Sequence, residues 1–360
     1  MSQGRGNKTI RFVVELILVS LLTLVPCGDV LAVEKPHVAR RFSQTAHQTT
    51  NAPIDPGKHA VIISGASGDE AYAKQFDEWS RSLRRALTER LGFDTKQVRV
   101  LSEKPVEGAS RATAEEVRKT LEGLRSDVKQ GDSVLIFFIG HGTFDGNQAK
   151  FNLVGPDLPA HAYRSLLDAL PARRVVLMNM ASASGEFIKP LAAKGRVIVT
   201  ATRSGEERNA TRFAEHFIAA LQNPEADADQ NKRISVLEAF QYGAKLTAEA
   251  YKSAGRLATE HALLEDNGDG VGHPNTETGG DGALARVTYF DSPLITPRVN
   301  GVETAKLITE RTRLEEEVEQ LKNRKAGMQA DEYDAELEKI LIDLAKLSRV
   351  IRGAAKPASN

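Results

Sequence analysis

Three constellations in this 360-residue sequence hold side chains able to do chemistry. In the first, a histidine and a serine each follow a strongly apolar run. Ser133–Ile139 (SVLIFFI) leads into Gly140-His141-Gly142, and Arg174–Asn179 (RVVLMN) leads into Met180-Ala181-Ser182-Ala183-Ser184-Gly185. A histidine between glycines keeps an uncrowded ring, suited to moving a proton, and the Gly142 N–H can face a developing oxyanion. A serine hydroxyl is not ionised near neutral pH. As a nucleophile, Ser182 therefore needs His141 in direct hydrogen-bond contact and a third group to orient the ring. Asp145 and Asp157 are acidic residues downstream of His141 that remain open for that part. The competing reading is a histidine that merely closes a strand.

The second constellation is Asp227-x-Asp229-x-Asn231-x-Arg233-Ile234-Ser235-x-x-Glu238. Oxygen-bearing side chains fall at positions 1, 3, 5, 9 and 12. The Arg233 carbonyl falls at 7 and an apolar residue at 8, the ligand spacing of an EF-hand calcium loop. Helical patterns flank it on both sides. Position 6, where glycine usually makes a sharp turn, holds Lys232, at about 1–3 kcal/mol of strain. Calcium is the expected cofactor, and a solvated acidic loop is the alternative. The third stretch, Glu265-Asp266-Asn267-Gly268-Asp269-Gly270, is also rich in Asp and Gly. Its twelfth position is Thr276, so it reads as a turn rather than a metal site.

These residues need elements to position them. Apolar runs at 59–64, 97–101, 133–139, 174–179 and 196–201 alternate with helical patterns at 71–91, 113–129, 211–221 and 236–251. Near-continuous apolar strands alternating with helices specify an α/β fold, a mostly parallel sheet sandwiched by helices. The carboxyl ends of neighbouring parallel strands open into one crevice, so His141 and Ser182 are expected to meet there.

At these residues the sequence resembles the legumain/caspase-like (clan CD) superfamily of cysteine peptidases, over roughly residues 59–251. That family places a catalytic His before Gly after one strand and a catalytic Cys after the next. Here His141 and Ser182 stand 41 residues apart, near the interval of about 50 in caspases. Ala181-Ser182-Ala183-Ser184-Gly185 is closest to the legumain pattern Ala-Cys-Glu-Ser-Gly. The resemblance implies a caspase-like sheet, catalytic roles at His141 and position 182, and substrate contacts in the stretch Thr202-Arg203-Ser204-Gly205-Glu206-Glu207-Arg208-Asn209. Two departures weaken the implied activity. Ser182 replaces the cysteine whose thiol ionises readily, and Ala183 replaces the acidic residue that helps legumain select asparagine. The reading that follows is a catalytically inactive or altered peptidase fold that binds a peptide or protein partner. An active peptidase or acyl hydrolase using Ser182, with His141 as base, is its rival.

Length and composition set the surroundings. A 41% hydrophobic, 27% charged chain is ordinary for a globular protein and too apolar for wholesale disorder. Basic and acidic residues balance at 48 each, so no general field attracts nucleic acid. Residues 1–32 read as a signal peptide, with Lys8 and Arg11 before a short apolar run and Val30-Leu31-Ala32 before the cut. The mature chain is then exported, periplasmic or secreted, without a transmembrane helix. A lipoprotein anchored at Cys27 is the alternative, although Pro26 fits that cut badly. Residues 33–57 read as a flexible linker and 58–300 as the main domain carrying the EF-hand-like loop. Residues 301–353 read as a helical hairpin or coiled coil. There Leu307, Leu314, Val318 and Leu321, then Ile340, Leu344, Leu347 and Ile351, fall at heptad-like spacing. Self-association through residues 303–352 is expected, unless the two helices instead pack back on the main domain.

Overall fold

Apolar runs with the period of a strand become β1 (Lys58–Ser64), β2 (Val98–Ser102), β3 (Ala109–Arg111) and β4 (Ser133–Ile139). After a small sheet of β5 (Gly142–Phe144), β6 (Ala149–Phe151) and β7 (Leu158–Pro159) come β8 (Arg174–Asn179), β9 (Arg196–Thr200) and β10 (Leu263–Glu265). The larger sheet has seven strands in the order β10-β9-β8-β4-β1-β2-β3. Every neighbouring pair in it is parallel except β10 against β9. This is the mixed α/β, mostly parallel architecture expected from the sequence. The computed structural model describes residues 54–105, 108–275, 280–291 and, discontinuously, 307–354. The signal-peptide and Cys27 readings and residues 33–53 of the linker lie outside the described residues.

Side chains alternate across each strand, so the sheet divides two cores. Leu135, Phe137 and Ile139 of β4 join one, and Val134, Ile136 and Phe138 join the other. Helices α1 (Glu70–Arg85), α5 (Phe213–Ala220) and α6 (Val236–Ser253) cover the first face. Helices α2 (Ala114–Asp127), α3 (Ala160–Asp168) and the short α4 (Ile188–Leu191) cover the second. The helix starts follow the local sequence. Asp69 accepts from Tyr72 N–H, Thr113 from Glu116 N–H, and Ser235 with Glu238 forms a reciprocal capping box.

The described end of the linker is bound to the domain. Asp55 N–H donates to the Gly92 carbonyl at 2.8 Å, and the Gly57 carbonyl accepts from Ser133 N–H at 2.8 Å. The first belongs to a parallel bridge between Asp55 and Phe93, and the second extends the β1–β4 pairing, so the chain joins the domain just ahead of β1. Among the described residues, no helix is long and apolar enough to cross a membrane. The described residues between 307 and 324 are helical, and Ala330–Ala354 forms a second helix. Arg324 pairs with Glu336 at 3.4 Å, and Lys325 lies over the Tyr333 ring. Leu314, Val318 and Leu321 are buried, whereas Ile340, Leu344, Leu347 and Ile351 are half-buried. The first helix thus hides its stripe and the second leaves its own partly open.

Phe138 ties strand to helix on the second face, with its ring 4.7 Å from Phe151, 4.8 Å from Tyr163 and 6.2 Å from Phe187. Phe138→Ala should lower the free energy of urea unfolding by about 3–5 kcal/mol. A loss below about 1 kcal/mol, the scale of a tolerated core swap, would contradict this packing.

Candidate functional site

Strands β4 and β8 pair in parallel from Ser133↔Arg174 to Phe138↔Asn179, and this register delivers His141 and Ser182 to the same crevice. The two residues do not bond each other. The buried Ser182 hydroxyl accepts from Gly142 N–H at 3.1 Å and donates to the Gly142 carbonyl, also at 3.1 Å. The contact is tight, because a Cβ on Gly142 would stand 2.4 Å from the Ser182 carbonyl oxygen. The N–H that the sequence offered to an oxyanion is therefore already engaged by Ser182.

His141 turns the other way. Its ring bonds the Ser67 carbonyl and lies edge-on to Tyr72 and Phe76 of α1, with centroids 4.8 Å and 5.2 Å away. Burial holds its pKa below the ordinary 6.5, while the Ser67 carbonyl and the Asp69 charge pull in the opposite direction. The orienting group is thus a backbone oxygen. Asp145 and Asp157 do not supply it. Asp145 accepts from Asn147 and Gln148 N–H inside the β5–β6 turn, and Asp157 accepts from Leu153 N–H. Sequence reasoning had no access to Ser67, since a carbonyl carries no residue signature.

The floor after β8 is strained and braced. Ala183 adopts φ 53°, a left-handed conformation that costs a non-glycine residue about 1–2 kcal/mol. Its N–H donates to the Glu207 carbonyl at 2.9 Å. Ser184, fully buried, bonds Thr202 and the backbone N–H groups of Ala201 and Thr202. Residues 202–209, aligned with a substrate-contacting loop by resemblance, are folded around Glu207. Its carboxylate takes Arg203 N–H at 2.9 Å, His261 N–H at 3.0 Å and the His261 ring at 2.5 Å. The Phe144 ring packs directly over Gly205, tying this loop to β5. Behind it, buried Glu260 caps α5 through Arg212 and Phe213 N–H. Beside His141, Ser67 and Phe76 also line a cavity of about 840 Å³ that runs to Arg81, Arg84, Glu103 and Lys104.

The acidic loop sits apart from this crevice, at the start of α6. Asp227, Asp229 and Glu238 each place a carboxylate oxygen within 4.8 Å of the others. Lys232 takes φ 67° and Gln230 φ 58°, so the turn expected at position 6 is made without glycine. Glu238 accepts from Ala228 and Ser235 N–H and from the Ser235 hydroxyl. Asn231 Oδ1 accepts from Arg233 N–H at 2.8 Å. The Arg233 side chain leaves the loop to stack on Tyr289 and pair with Asp291, so only its carbonyl remains for position 7. The backbone at Ile234 and Val236 bonds Phe290 and Thr288, which fastens the loop to the segment after helix α7 (Ala283–Arg286).

Comparison with protein families and with curated proteins finds no match. Two solved structures are similar in part. Protein GSU0716 from Geobacter sulfurreducens is 13% identical, with a TM-score of 0.42 over 59% of this chain and 94% of that one. The Drosophila initiator caspase Dronc is 14% identical, with a TM-score of 0.38 over 70% of this chain and 96% of that one.

The half-buried ring of His141, harder to protonate than a free imidazole, has a pH consequence. A base that is harder to protonate when folded destabilises the fold as pH falls below the unfolded value of 6.5. His216 shifts in the same direction, also through burial. By NMR, the His141 ring should titrate with a midpoint below 6.5. A midpoint at or above that value would contradict desolvation as the dominant influence on the ring.

Proposed function

We propose that this chain is an exported, noncatalytic protein of legumain/caspase-like descent that binds a peptide or protein partner in the crevice beside His141. One observation carries the reading. The Ser182 hydroxyl spends its donor and an acceptor site on Gly142, and no hydrogen bond joins it to His141. A serine nucleophile without a base in contact has no means of losing its proton as it attacks. The cavity of about 840 Å³ next to His141, with an aromatic wall and charged rim, falls within the usual size range of a ligand pocket. Export rests on the signal-like residues 1–32. Assembly through residues 303–352 is supported by the half-open apolar stripe of the C-terminal helix. Calcium in the loop from Asp227 to Glu238 is supported by its three converging carboxylates.

The crevice is tested by incubating the full chain with a fluorophosphonate and with a broad peptide library. Neither labelling nor cleavage is expected, and Ser182→Ala should retain the wild-type melting temperature within a few degrees. Labelling that disappears in both Ser182→Ala and His141→Ala would establish a Ser–His hydrolase and overturn the reading.

For the loop, millimolar calcium should raise the melting temperature. Asp229→Asn, an exposed position, should reduce that rise. An identical rise in wild type and Asp229→Asn would remove calcium from this loop.

A further inference from the structure

We propose that the loop from Glu265 to Val271, expected from the sequence to be only a turn, is a second calcium site, independent of the crevice. It repeats the turn bonding of the loop at Asp227 around its third and fifth residues. In the first loop, Asn231 N–H donates to Asp229 Oδ1 and Arg233 N–H to Asn231 Oδ1. In the second, Asp269 N–H donates to Asn267 Oδ1 and Val271 N–H to Asp269 Oδ1, both at 2.7 Å. The side-chain amide pairs with the neighbouring carboxylate in each, Asn231 with Asp229 and Asn267 with Asp269. Positive φ falls at the fourth and sixth residues of both, Gln230 and Lys232 in one and Gly268 and Gly270 in the other. The second loop therefore makes both turns with glycine and avoids the strain of the first.

The deciding observation is Glu265, the first residue of this loop. Its side chain is fully buried, Oε1 accepts from Gly268 N–H at 2.5 Å, the Gly270 N–H also lies against the carboxylate, and Oε2 completes no hydrogen bond. An unpaired carboxylate oxygen out of water is costly, and it belongs in a fold when a cation or a donor completes it. The nearby negative charge makes the need greater. Asp281 and Asp266 are also buried, with Asp281 held by His273 at 2.5 Å and Asp266 by the N–H groups of Gly282 and Ala285. Glu265 Oε2, Asn267 Oδ1, Asp269 Oδ1 and the Val271 carbonyl are all hard oxygen donors, and water completes the shell. That donor set selects calcium over softer metals. The base of the loop is closed by Leu264 and His273, whose backbones exchange hydrogen bonds at 3.0 and 2.9 Å. The ion would thereby brace β10, the antiparallel edge strand.

The test is the calcium content of the full chain after equilibrium dialysis at about 1 mM calcium, in the range of extracellular sites. Asp269→Asn, at an exposed position, and Glu265→Gln should each lower bound calcium by one ion per chain, with the far-ultraviolet circular dichroism unchanged. Asp229→Asn reports the other loop separately, so failure of one loop does not mask the other. The proposal is overturned if wild type binds no calcium, or if Asp269→Asn binds as much as wild type. Because Asp269 faces solvent, that comparison stands even if Glu265→Gln fails to fold.

Discussion

Strand β4 lies at the middle of a parallel sheet with six of its seven residues buried, and apolar side chains on both faces must be kept from water. At about 25 cal/mol per Å² of apolar surface, leaving either face bare would outweigh the few kcal/mol that separate folded from unfolded chains. Helices are therefore required on both sides. Phe137 and Ile139 meet the α1, α5 and α6 layer, and Val134 and Phe138 meet the α2 and α3 layer. The same constraint fixes where chemistry can occur. With both faces covered, the ends of the strands are where polar side chains can gather, and β4 and β8 end at His141 and Ser182.

At those strand ends the Ser182 hydroxyl governs the local bonding. A hydroxyl makes short, directional hydrogen bonds that a thiol makes only weakly. Ser182 uses them on both polar atoms of Gly142, which locks the floor of the crevice to β5. Ser182 thereby acts as a structural clasp between the end of β8 and the start of β5. His141 packs against the rings of Tyr72 and Phe76, beside the Ser67 carbonyl. Its depressed basicity follows from that burial. The arrangement brings the two side chains to one crevice without a hydrogen bond between them.

The framework was legible in the sequence because it rests on period and hydrophobicity. Runs such as RVVLMN have one placement in an α/β sheet, and β8 falls on those residues. The convergence of His141 and Ser182 followed from strand-end geometry. What escaped was carried by groups without a residue signature. The orienter of His141 is a carbonyl, the left-handed turn at Ala183 is made by a residue that ordinarily avoids it, and Glu207 and Glu260 act through backbone N–H groups far along the chain. Asp145 and Asp157 looked eligible by nearness in sequence, yet each satisfies its own turn first. At Glu265 a linear pattern displays the missing acid at position twelve but not the burial of the first carboxylate, which only the fold reveals.

One cysteine in the whole chain means that no internal disulfide can hold the long connections around the crevice. Carboxylates do that work instead. Glu260 fastens the start of α5, Glu207 gathers residues 203–209 onto His261, Asp266 holds the start of α7, and Glu238 closes the loop before α6. Each accepts charge-assisted bonds from backbone N–H groups, roughly twice as strong as neutral ones. Burial opposes this by penalising the ionised form, which is why the pKa of Glu260 is raised rather than lowered. None of these braces touches Ser182 or His141. The walls of the crevice are therefore braced independently of Ser182 and His141, by bonds that would hold their shape whatever those two side chains do.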